Sequence, residues 1–414
     1  MHYHLVGSEG ISMRGIGEIL KQLGHTVTGS DLKLMGHSRK NISKDIDVIV
    51  RTSAVSPGSP GWEEIEEGER LNIKILKRSE IISELTSDKY LITISGMHGK
   101  TTVTSLIGLM LIEAGLDPTV LVGEEVQEFN GVVRIGSSKY FVMEACEYDK
   151  SFLDFYPEIA VITNIDKEHL DTYPNGIPDI LTAFKSFIGN IKKSGTLVYC
   201  SKDKYLPDLV NEFKDLEKIP YGDDNFDYEI KLLGSHNKLN AQAAIACAKK
   251  LDVGDESIRK VLASFSGAHR RLELKGDFNA AKIYDDYGHH PTEISATIDA
   301  LKQKYPDKKL MVVFWPHQYK RILPLLPEFV NAFDNADEVI LKPIFLVPGR
   351  DEKLDISSEK IIEMINEKKK IASVMEDDDE IINYLKNTIN DSYVVLTIGI
   401  PPVYKIAEKL IEEK

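Results

Sequence analysis

A glycine-rich segment at residues 95–102, with the sequence SGMHGKTT, contains the residue types that bind a nucleoside triphosphate. It follows an apolar run at residues 90–94 and precedes a helical pattern that continues to Ala114. Glycines allow the backbone to approach phosphate oxygens, the following helix presents free N–H groups, Lys100 adds a positive charge, and the Thr101 hydroxyl can bind Mg²⁺. The predicted nucleotide contacts in this segment are Gly96, His98, Gly99, Lys100, Thr101 and Thr102.

The segment is shorter than the full phosphate-loop pattern, because Ile94 stands where the first glycine of that pattern belongs. A plain glycine turn that caps a helix is therefore an alternative interpretation. The strand pattern before the segment and the helix pattern after it favour the phosphate site.

Composition and charge limit the classes of function. A chain of 414 residues is too long for one hydrophobic core and suggests two or three domains. Its net charge of −14 argues against broad binding to nucleic acid or to an anionic membrane, so phosphate binding must come from local arrangements. Three cysteines without metal-ligand spacing indicate a reducing cytoplasm. No apolar run reaches the ~20 residues that span a bilayer.

Short β-branched runs alternate with amphipathic helical stretches, which predicts an α/β fold with parallel sheets covered by helices. We divide the chain into a Rossmann-like domain at 1–88, a central domain of the phosphate-loop ATPase type at 89–269, and a second Rossmann-like domain at 270–414. The acidic run 376–380 is predicted to be a solvated loop or the start of a helix. The clearest predicted strands are 47–51, 140–144, 159–164, 196–200, 282–285, 310–314, 338–341 and 393–397.

Near the N-terminus, a turn at residues 7–13 follows a strand and opens a helix, as a dinucleotide-binding turn does. It is a poor NAD fingerprint, because Glu9 and Ser12 occupy the second and third glycine positions. Ser30 and Asp31 end the next strand, where an acidic residue commonly holds a ribose hydroxyl. A tight turn with a helix-capping aspartate is an equally good interpretation of these residues alone.

Two further strand ends carry residue types that bind metals. Glu144 ends an apolar strand and His169 follows the next one, and the carboxyl ends of parallel strands meet at one edge of a sheet. With the Thr101 hydroxyl they form a reasonable Mg²⁺ ligand set, although either residue alone is more commonly structural. Asn237 and Asn240 share one predicted helix face and could contact a purine base, with helix capping by Asn237 as the alternative.

Taken in order, these segments resemble the Mur ligases of peptidoglycan synthesis, which are ATP-dependent amide-forming enzymes with three domains. The resemblance covers almost the whole chain and includes residues 265–273 (FSGAHRRLE), 285–293 (DDYGHHPTE) and 314–321 (FWPHQYKR). The last two segments are most similar to the alanine-adding branch of the family. The resemblance therefore implies ATP and Mg²⁺ as cofactors, UDP-N-acetylmuramate and L-alanine as substrates, and a reaction through an acyl phosphate.

The resemblance also implies roles for individual residues. The implied catalytic residues are Lys100, His169, Arg271, Asp286 and His289. The implied nucleotide contacts outside the glycine-rich segment are His236, Asn237, Asn240, Arg271 and Asp286. The implied substrate contacts are Gly7, Gly10, Met13, Ser30, Asp31, His289, His317 and Arg321. The implied metal ligands are Thr101, Glu144 and His169.

Several positions depart from the family pattern. Among them, Cys146 replaces an aspartate, Trp315 a glutamine and Gln318 an arginine. The last change weakens the expected clamp on the carboxylate of the amino acid, so a relative that attaches a recovered tripeptide to the same sugar is an alternative. An inactive nucleotide-binding relative is disfavoured, because the implied catalytic residues are present. A folylpolyglutamate-type ligase is disfavoured, because residues 2–87 resemble a UDP-sugar domain.

Overall fold

A computed structural model describes residues 1–34, 36–347 and 351–413 of the chain. The chain forms two compact units. The first unit contains Met1–Asp166, Ile177–Tyr228 and Asn240–Ala263, and the second contains Lys167–Gly176, Glu229–Leu239 and Ser264–Lys414. Strands and helices alternate in both units, as predicted for an α/β fold. In the described part of the chain, no helix combines the length and the apolar character needed to cross a membrane.

The first sheet has four parallel strands and belongs to the first unit. Its strands are β1 (His2–Val6), β2 (Thr26–Ser30), β3 (Val48–Arg51) and β4 (Lys74–Lys77), and its helices are α1 (Ile11–Gln22), α2 (Trp62–Arg70) and α3 (Arg78–Leu85). The strands lie in the order β2-β1-β3-β4. Helix α1 buries Met13, Ile16 and Leu20, which are spaced by three and four residues, so one stripe of this helix packs into the core.

The second sheet has seven strands in the order β11-β10-β9-β5-β8-β6-β7, and only the β6–β7 pair is antiparallel. Its strands are β5 (Tyr90–Ser95), β6 (Thr119–Val126), β7 (Gly131–Arg134), β8 (Tyr140–Glu144), β9 (Ile159–Ile162), β10 (Thr196–Cys200) and β11 (Glu217–Tyr221). Its helices are α4 (Lys100–Glu113), α5 (Ile177–Gly189), α6 (Leu206–Asn211), α7 (Ser235–Lys250) and α8 (Asp255–Ser264). Strands β5 and β9 are buried almost throughout, as expected for a sheet covered on both faces. The boundary between the two units falls within α7.

The third sheet belongs to the second unit and has six strands in the order β12-β13-β17-β14-β15-β16. Its strands are β12 (Glu273–Phe278), β13 (Ala281–Asp286), β14 (Lys309–Phe314), β15 (Glu338–Leu341), β16 (Ala372–Val374) and β17 (Tyr393–Ile398). Its helices are α9 (Pro291–Lys304), α10 (Tyr319–Ile322), α11 (Leu326–Asn331), α12 (Ser358–Lys368), α13 (Asp378–Thr388) and α14 (Tyr404–Glu412). Along β14, Val312 and Phe314 join one apolar cluster while Met311 and Val313 join another, so the sheet is covered on both faces.

Sequence patterns predicted the central strands better than the sheet edges. Strands β8, β10 and β15 have the predicted bounds, and the acidic run becomes the start of α13, where Asp377 accepts a hydrogen bond from the Glu380 N–H. Strands β6, β7, β11, β12 and β16 were not predicted, and all of these except β6 lie at a sheet edge. The first two sheets belong to the same compact unit. Helix α1 packs closely against β6 there, because a Cβ at Gly15 would lie 2.5 Å from the Leu121 side chain. The boundaries at residues 88 and 269 stay predictions.

A buried carboxylate organises the loop that follows β2. Glu64, on α2, has no exposed surface and accepts hydrogen bonds from Ser30 Oγ (2.5 Å), the Ser38 N–H (2.9 Å) and Asn41 Nδ2 (2.7 Å). His4 Nε2 lies 3.5 Å from the same carboxylate. Burial alone would raise the pKa of Glu64, but the nearby His4 and the hydrogen bonds from Ser30, Ser38 and Asn41 lower it from 4.5 to about 2.

We expect Glu64→Gln to destabilise the protein, because the variant replaces an ionised acceptor among four donors. A carboxylate whose pKa is lowered on folding contributes stability above pH 4.5, and this contribution disappears as the pH falls towards 2. The difference in unfolding free energy between wild type and variant should therefore shrink by about 2 kcal/mol between pH 7 and pH 3, as measured by urea denaturation.

The matched control for this experiment is Glu66→Gln, because Glu66 is an exposed carboxylate on the same helix. Its effect on stability should stay below about 0.5 kcal/mol. A difference between wild type and Glu64→Gln that does not change with pH would contradict the proposed network.

Candidate active site

The glycine-rich loop after β5 is held against the carboxyl end of the neighbouring strand β9. The His98 N–H donates to Asn164 Oδ1 at 3.0 Å, and Thr163 Oγ1 donates to the His98 carbonyl at 2.7 Å. A Cβ atom at Gly96, where φ is +123°, would lie 2.1 Å from Thr163 Oγ1. This position requires glycine, because the loop backbone lies directly against the strand end.

Gly99 brings the same loop against helix α7. It precedes α4 in the left-handed region, with φ of +84°, and a Cβ there would lie 2.3 Å from Asn240 Oδ1. Helix α4 begins at the next residue, Lys100, so the N–H groups of its first turn open at the loop, where an anion binds favourably. Gly99, Lys100 and Asn240, three of the predicted nucleotide contacts, therefore lie together in the first unit.

Lys100 lies inside a cage of oxygen atoms. Its Nζ donates to the carbonyls of Gly96 (2.6 Å) and Met97 (3.1 Å), and it lies 3.1 Å from both carboxylate oxygens of Glu147. Burial alone would lower the pKa of Lys100, but the carboxylates of Glu147 and Glu144 raise it to about 12. The side chain is therefore charged at neutral pH and held at the loop that would receive phosphates. Glu147 has no exposed surface and was not predicted.

The predicted metal ligands of the first unit are hard oxygen donors beside this loop. Thr101 is buried in the first turn of α4, and Glu144 ends β8, where it pairs in register with Ile94 of β5. One carboxylate oxygen of Glu144 accepts from the Gly123 N–H at 2.6 Å, which fixes the side chain. A hydroxyl and a carboxylate suit Mg²⁺, so these residues fit the ion that the family pattern implies.

The close approach of Gly99 to Asn240 predicts a specific defect. We expect Gly99→Ala to lose about 1 kcal/mol of stability from its left-handed backbone and, because its Cβ displaces the loop, to bind ATP at least about tenfold more weakly. Gly24→Ala is the matched control, because φ is +83° and no described atom lies within 4 Å of a Cβ there. Isothermal titration calorimetry with ATP should show weakened binding in Gly99→Ala and unchanged binding in Gly24→Ala. Wild-type affinity in Gly99→Ala would contradict the assignment of this loop.

The N-terminal turn uses most of its own backbone donors. The N–H groups of Gly7 and Ser8 donate to the Ser30 carbonyl, the Glu9 N–H donates to Asp31 Oδ2 at 3.2 Å, and the Gly10 N–H donates to the Gly7 carbonyl. The Ser30 hydroxyl donates to Glu64 and is buried. Gly7, Gly10, Ser30 and Asp31 thus shape the turn. The first helical residues of α1, up to Met13, form the end of the helix whose backbone N–H groups favour an anion.

In the second unit, Arg321 is held by two groups. Its Nε donates to Glu168 Oε1 at 3.0 Å, and its Nη1 donates to His317 Nδ1 at 3.1 Å. Glu168 is only 5% exposed, and His290 Nε2 lies 3.9 Å from its other oxygen. Burial would raise the pKa of Glu168, but Arg321 and the surrounding histidines hold it well below its usual range. The predicted substrate contacts His317 and Arg321 are thus in direct contact.

Two predicted substrate-contacting histidines are neutral at physiological pH. Burial and the nearby positive charge of Arg321 lower the pKa of His289 to about 3 and that of His317 to about 4. The Nδ1 of His289 donates to the Tyr287 carbonyl at 3.2 Å, so its Nε2 carries the lone pair. His289 therefore offers an acceptor at Nε2, whereas His317, whose Nδ1 accepts from Arg321, offers a donor at Nε2; together they suit a zwitterionic substrate.

Arg271 and Asp286, both predicted catalytic residues, lie close together in the second unit. The Asp286 carboxylate accepts from the Leu272 and Gly288 N–H groups, each at 2.6 Å, and burial raises its pKa to about 7 although Arg271 acts to lower it. The Arg271 guanidinium lies over the Tyr287 ring at 5.2 Å. Arg271 and the Asp286 carboxyl therefore interact electrostatically at the end of β13.

The remaining predicted residues lie on short segments of the second unit. His236 and Asn237 occupy the first turn of α7, where Asn237 Nδ2 donates to the Leu233 carbonyl at 2.8 Å. Asn237 is within the helix and is not its cap. His169 has a positive φ of 53°, and its carbonyl accepts from the N–H groups of Thr172 and Tyr173. Their roles in nucleotide and metal binding stay predictions.

Comparison with known proteins places this site in a family. Three family models match, described as "Mur ligase family, catalytic domain" at residues 2–90, "Mur ligase middle domain" at 94–227 and "Mur ligase, glutamate ligase domain" at 270–400. A UDP-N-acetylmuramate–L-alanine ligase of Clostridium botulinum (strain Loch Maree / Type A3) is 39% identical, over 99% of this chain and 97% of the relative. The chain belongs to the Mur ligase family. This Mur ligase is therefore one of the ATP-dependent ligases that form amide bonds.

Solved structures agree on the fold. The UDP-N-acetylmuramate–alanine ligase of Thermotoga maritima matches with a TM-score of 0.82 at 23% identity and covers 100% of this chain and 99% of its own. A murein peptide ligase of Psychrobacter arcticus matches with a TM-score of 0.69 at 22% identity, over 100% of this chain and 98% of its own. These likenesses confirm the predicted α/β fold of this Mur ligase with its three sheet-centred domains.

Proposed function

We propose that this Mur ligase joins L-alanine to the carboxylate of UDP-N-acetylmuramate at the expense of ATP, in the synthesis of peptidoglycan precursors. The observation that carries the proposal is the match over 99% of the chain to relatives named UDP-N-acetylmuramate–L-alanine ligase. The loop around Lys100 supports it independently, because it offers a partly buried cation and a helix N-terminus to a nucleotide.

Forming an amide from a carboxylate requires activation of that carboxylate. When bound, ATP would supply the γ-phosphoryl group that converts the carboxylate to an acyl phosphate, with ADP as the leaving group; attack by the amine would then form the amide and release inorganic phosphate and a proton. Charge develops first on the phosphoryl oxygens and then on the oxygen of the tetrahedral carbon, so electrostatic clamps are the main requirement. Lys100 provides one such clamp, and its exchange from Glu147 to phosphate oxygens would accompany nucleotide binding.

We assign the other predicted residues by their chemistry. Thr101 and Glu144 would hold Mg²⁺ beside the phosphates, with His169 as ligand of a second ion. Asn240 would contact the nucleotide, together with His236, Asn237, Arg271 and Asp286. The first turn of α1 would receive the diphosphate of the UDP-sugar, where Arg78 Nη1 already donates to Ser12 Oγ at 3.0 Å.

The carboxylate of the amino acid would pair with Arg321, close to His317 and His289. The Nδ1 of His317 accepts from Arg321 Nη1, so the two side chains present one polar surface. Three free thiols, Cys146, Cys200 and Cys247, accord with the cytoplasm as the site of action, where ATP and reduced cysteines coexist. We therefore propose a cytoplasmic enzyme.

The role of Lys100 can be separated from its contribution to folding. Lys100→Ala should lower ADP release at least about 100-fold, because it removes a cation from the transferring phosphoryl group. It also leaves the buried Glu147 carboxylate without its cation, so stability should fall as well. The double variant Lys100→Ala/Glu147→Gln should recover stability but not ADP release, and unchanged turnover in either variant would contradict the proposal.

The amine substrate is tested directly by competition between amines. ADP release should depend on UDP-N-acetylmuramate and should be most efficient with L-alanine among L-alanine, glycine, L-serine and short peptides. A peptide used better than L-alanine would move the enzyme to the tripeptide-attaching function, a candidate that the likeness to a murein peptide ligase and the glutamine at position 318 keep open.

A further inference from the structure

One buried carboxylate near the proposed amino-acid site has no assigned role. Glu168 is 5% exposed and pairs with Arg321, the residue proposed to bind the carboxylate of the amino acid. Both belong to the second unit. A carboxylate this deeply buried requires a structural or functional reason, because removing it from water is unfavourable unless it is paired.

The way in which Glu168 contacts Arg321 decides what it can do. Glu168 Oε1 accepts from Nε, at the inner end of the guanidinium, and not from the terminal nitrogen pair. His317 Nδ1 accepts from Nη1 at 3.1 Å. The guanidinium plane is therefore fixed from two directions, and its outer edge keeps N–H donors in the geometry that grips a carboxylate.

His317, the second residue that fixes the Arg321 side chain, is itself fixed by packing. Its ring stacks on Phe345 at 5.8 Å and 10° between planes, and Phe345 packs edge-on against Trp315. The Gln318 N–H donates to the Phe345 carbonyl at 3.0 Å, so backbone contacts hold the same pair of segments. Glu168 thus completes a rigid support for Arg321 that begins with aromatic packing.

We propose that Glu168 is a positioning residue that holds Arg321 in the orientation needed to bind the carboxylate of the incoming amino acid. The proposal rests on the proposed function, because it concerns the amine substrate of the same reaction. It also explains how the site could work with a glutamine at position 318. Where the family pattern supplies a second arginine, this chain depends on one arginine held in place by an anion and a neutral imidazole.

The test uses the full-length enzyme and measures ADP release while each substrate is varied. Glu168→Gln should raise the KM for L-alanine about tenfold or more while kcat and the KM values for ATP and UDP-N-acetylmuramate change less than about threefold. Glu168→Asp keeps the charge and should restore part of the loss. Asp337→Asn is the matched control, because it neutralises a carboxylate paired with Lys302 at 2.9 Å in the same unit, and it should leave all three KM values unchanged.

A double-mutant cycle with Arg321→Ala gives a second, independent measure. If Glu168 acts through Arg321, adding Glu168→Gln to Arg321→Ala should change the KM for L-alanine less than about twofold. Independent effects of the two substitutions would overturn the proposal.

Two other outcomes of Glu168→Gln would also overturn it. A lower KM for L-alanine would mean that Glu168 competes with the substrate for Arg321. A raised requirement for Mg²⁺ or ATP would mean that it serves the neighbouring His169 instead. A wild-type enzyme that ligates no amino acid would reject the proposed function itself, whereas an active wild type with an unaffected Glu168→Gln rejects only the positioning role.

Discussion

Two partly buried cations, each paired with a buried carboxylate, supply the local positive charge that the surface of this molecule lacks. A chain with a net charge of −14 repels the nucleotides that it is proposed to bind, so attraction must be local. Lys100 meets Glu147 in the first unit, and Arg321 meets Glu168 in the second. Burying such pairs costs desolvation energy, and their value lies in placing a positive charge at a defined position.

The glycine-rich loop after β5 depends on close backbone approach as much as on charge. Gly96 lies against the end of β9 and Gly99 lies against α7, at distances that no side chain allows. The loop is thus held between a strand end and a helix, and the first turn of α4 opens where they meet. The cation at Lys100 is anchored to the carbonyls of this same loop, so charge and backbone donors are positioned together.

The departures from the family pattern are accommodated by specific contacts. Burial and the neighbouring Glu147 raise the pKa of the Cys146 thiol to about 11, so this position is neutral where an aspartate would add another anion near Lys100. Trp315 lies under the Lys342 ammonium at 4.4 Å and supports the aromatic stack beneath His317. Gln318 adopts a positive φ of 67° and contributes backbone hydrogen bonds at the start of α10.

Local sequence patterns determined the class of fold, most of the central strands and the family, and they located the glycine-rich loop between β5 and α4. Strands β8, β10 and β15 were predicted with their bounds. Each is an apolar run that ends at polar residues, and such a pattern is visible in the local sequence. Strands β6, β7, β11, β12 and β16 were missed. Four of them are edge strands, and the pairing of a strand with its sheet partners is not decided by its own sequence.

The residues of the site were predictable where a motif carries them, and their partners were not. Lys100 and Arg321 stand in recognisable segments, whereas nothing in the sequence shows that Glu147 and Glu168 are the carboxylates that hold them. The pairs are 47 and 153 residues apart in the chain, so only the folded structure brings them into contact. By itself the sequence determined which chemical groups are present; the tertiary structure decided which charges meet and which are buried, because burial and long-range pairing depend on the packing of the whole chain.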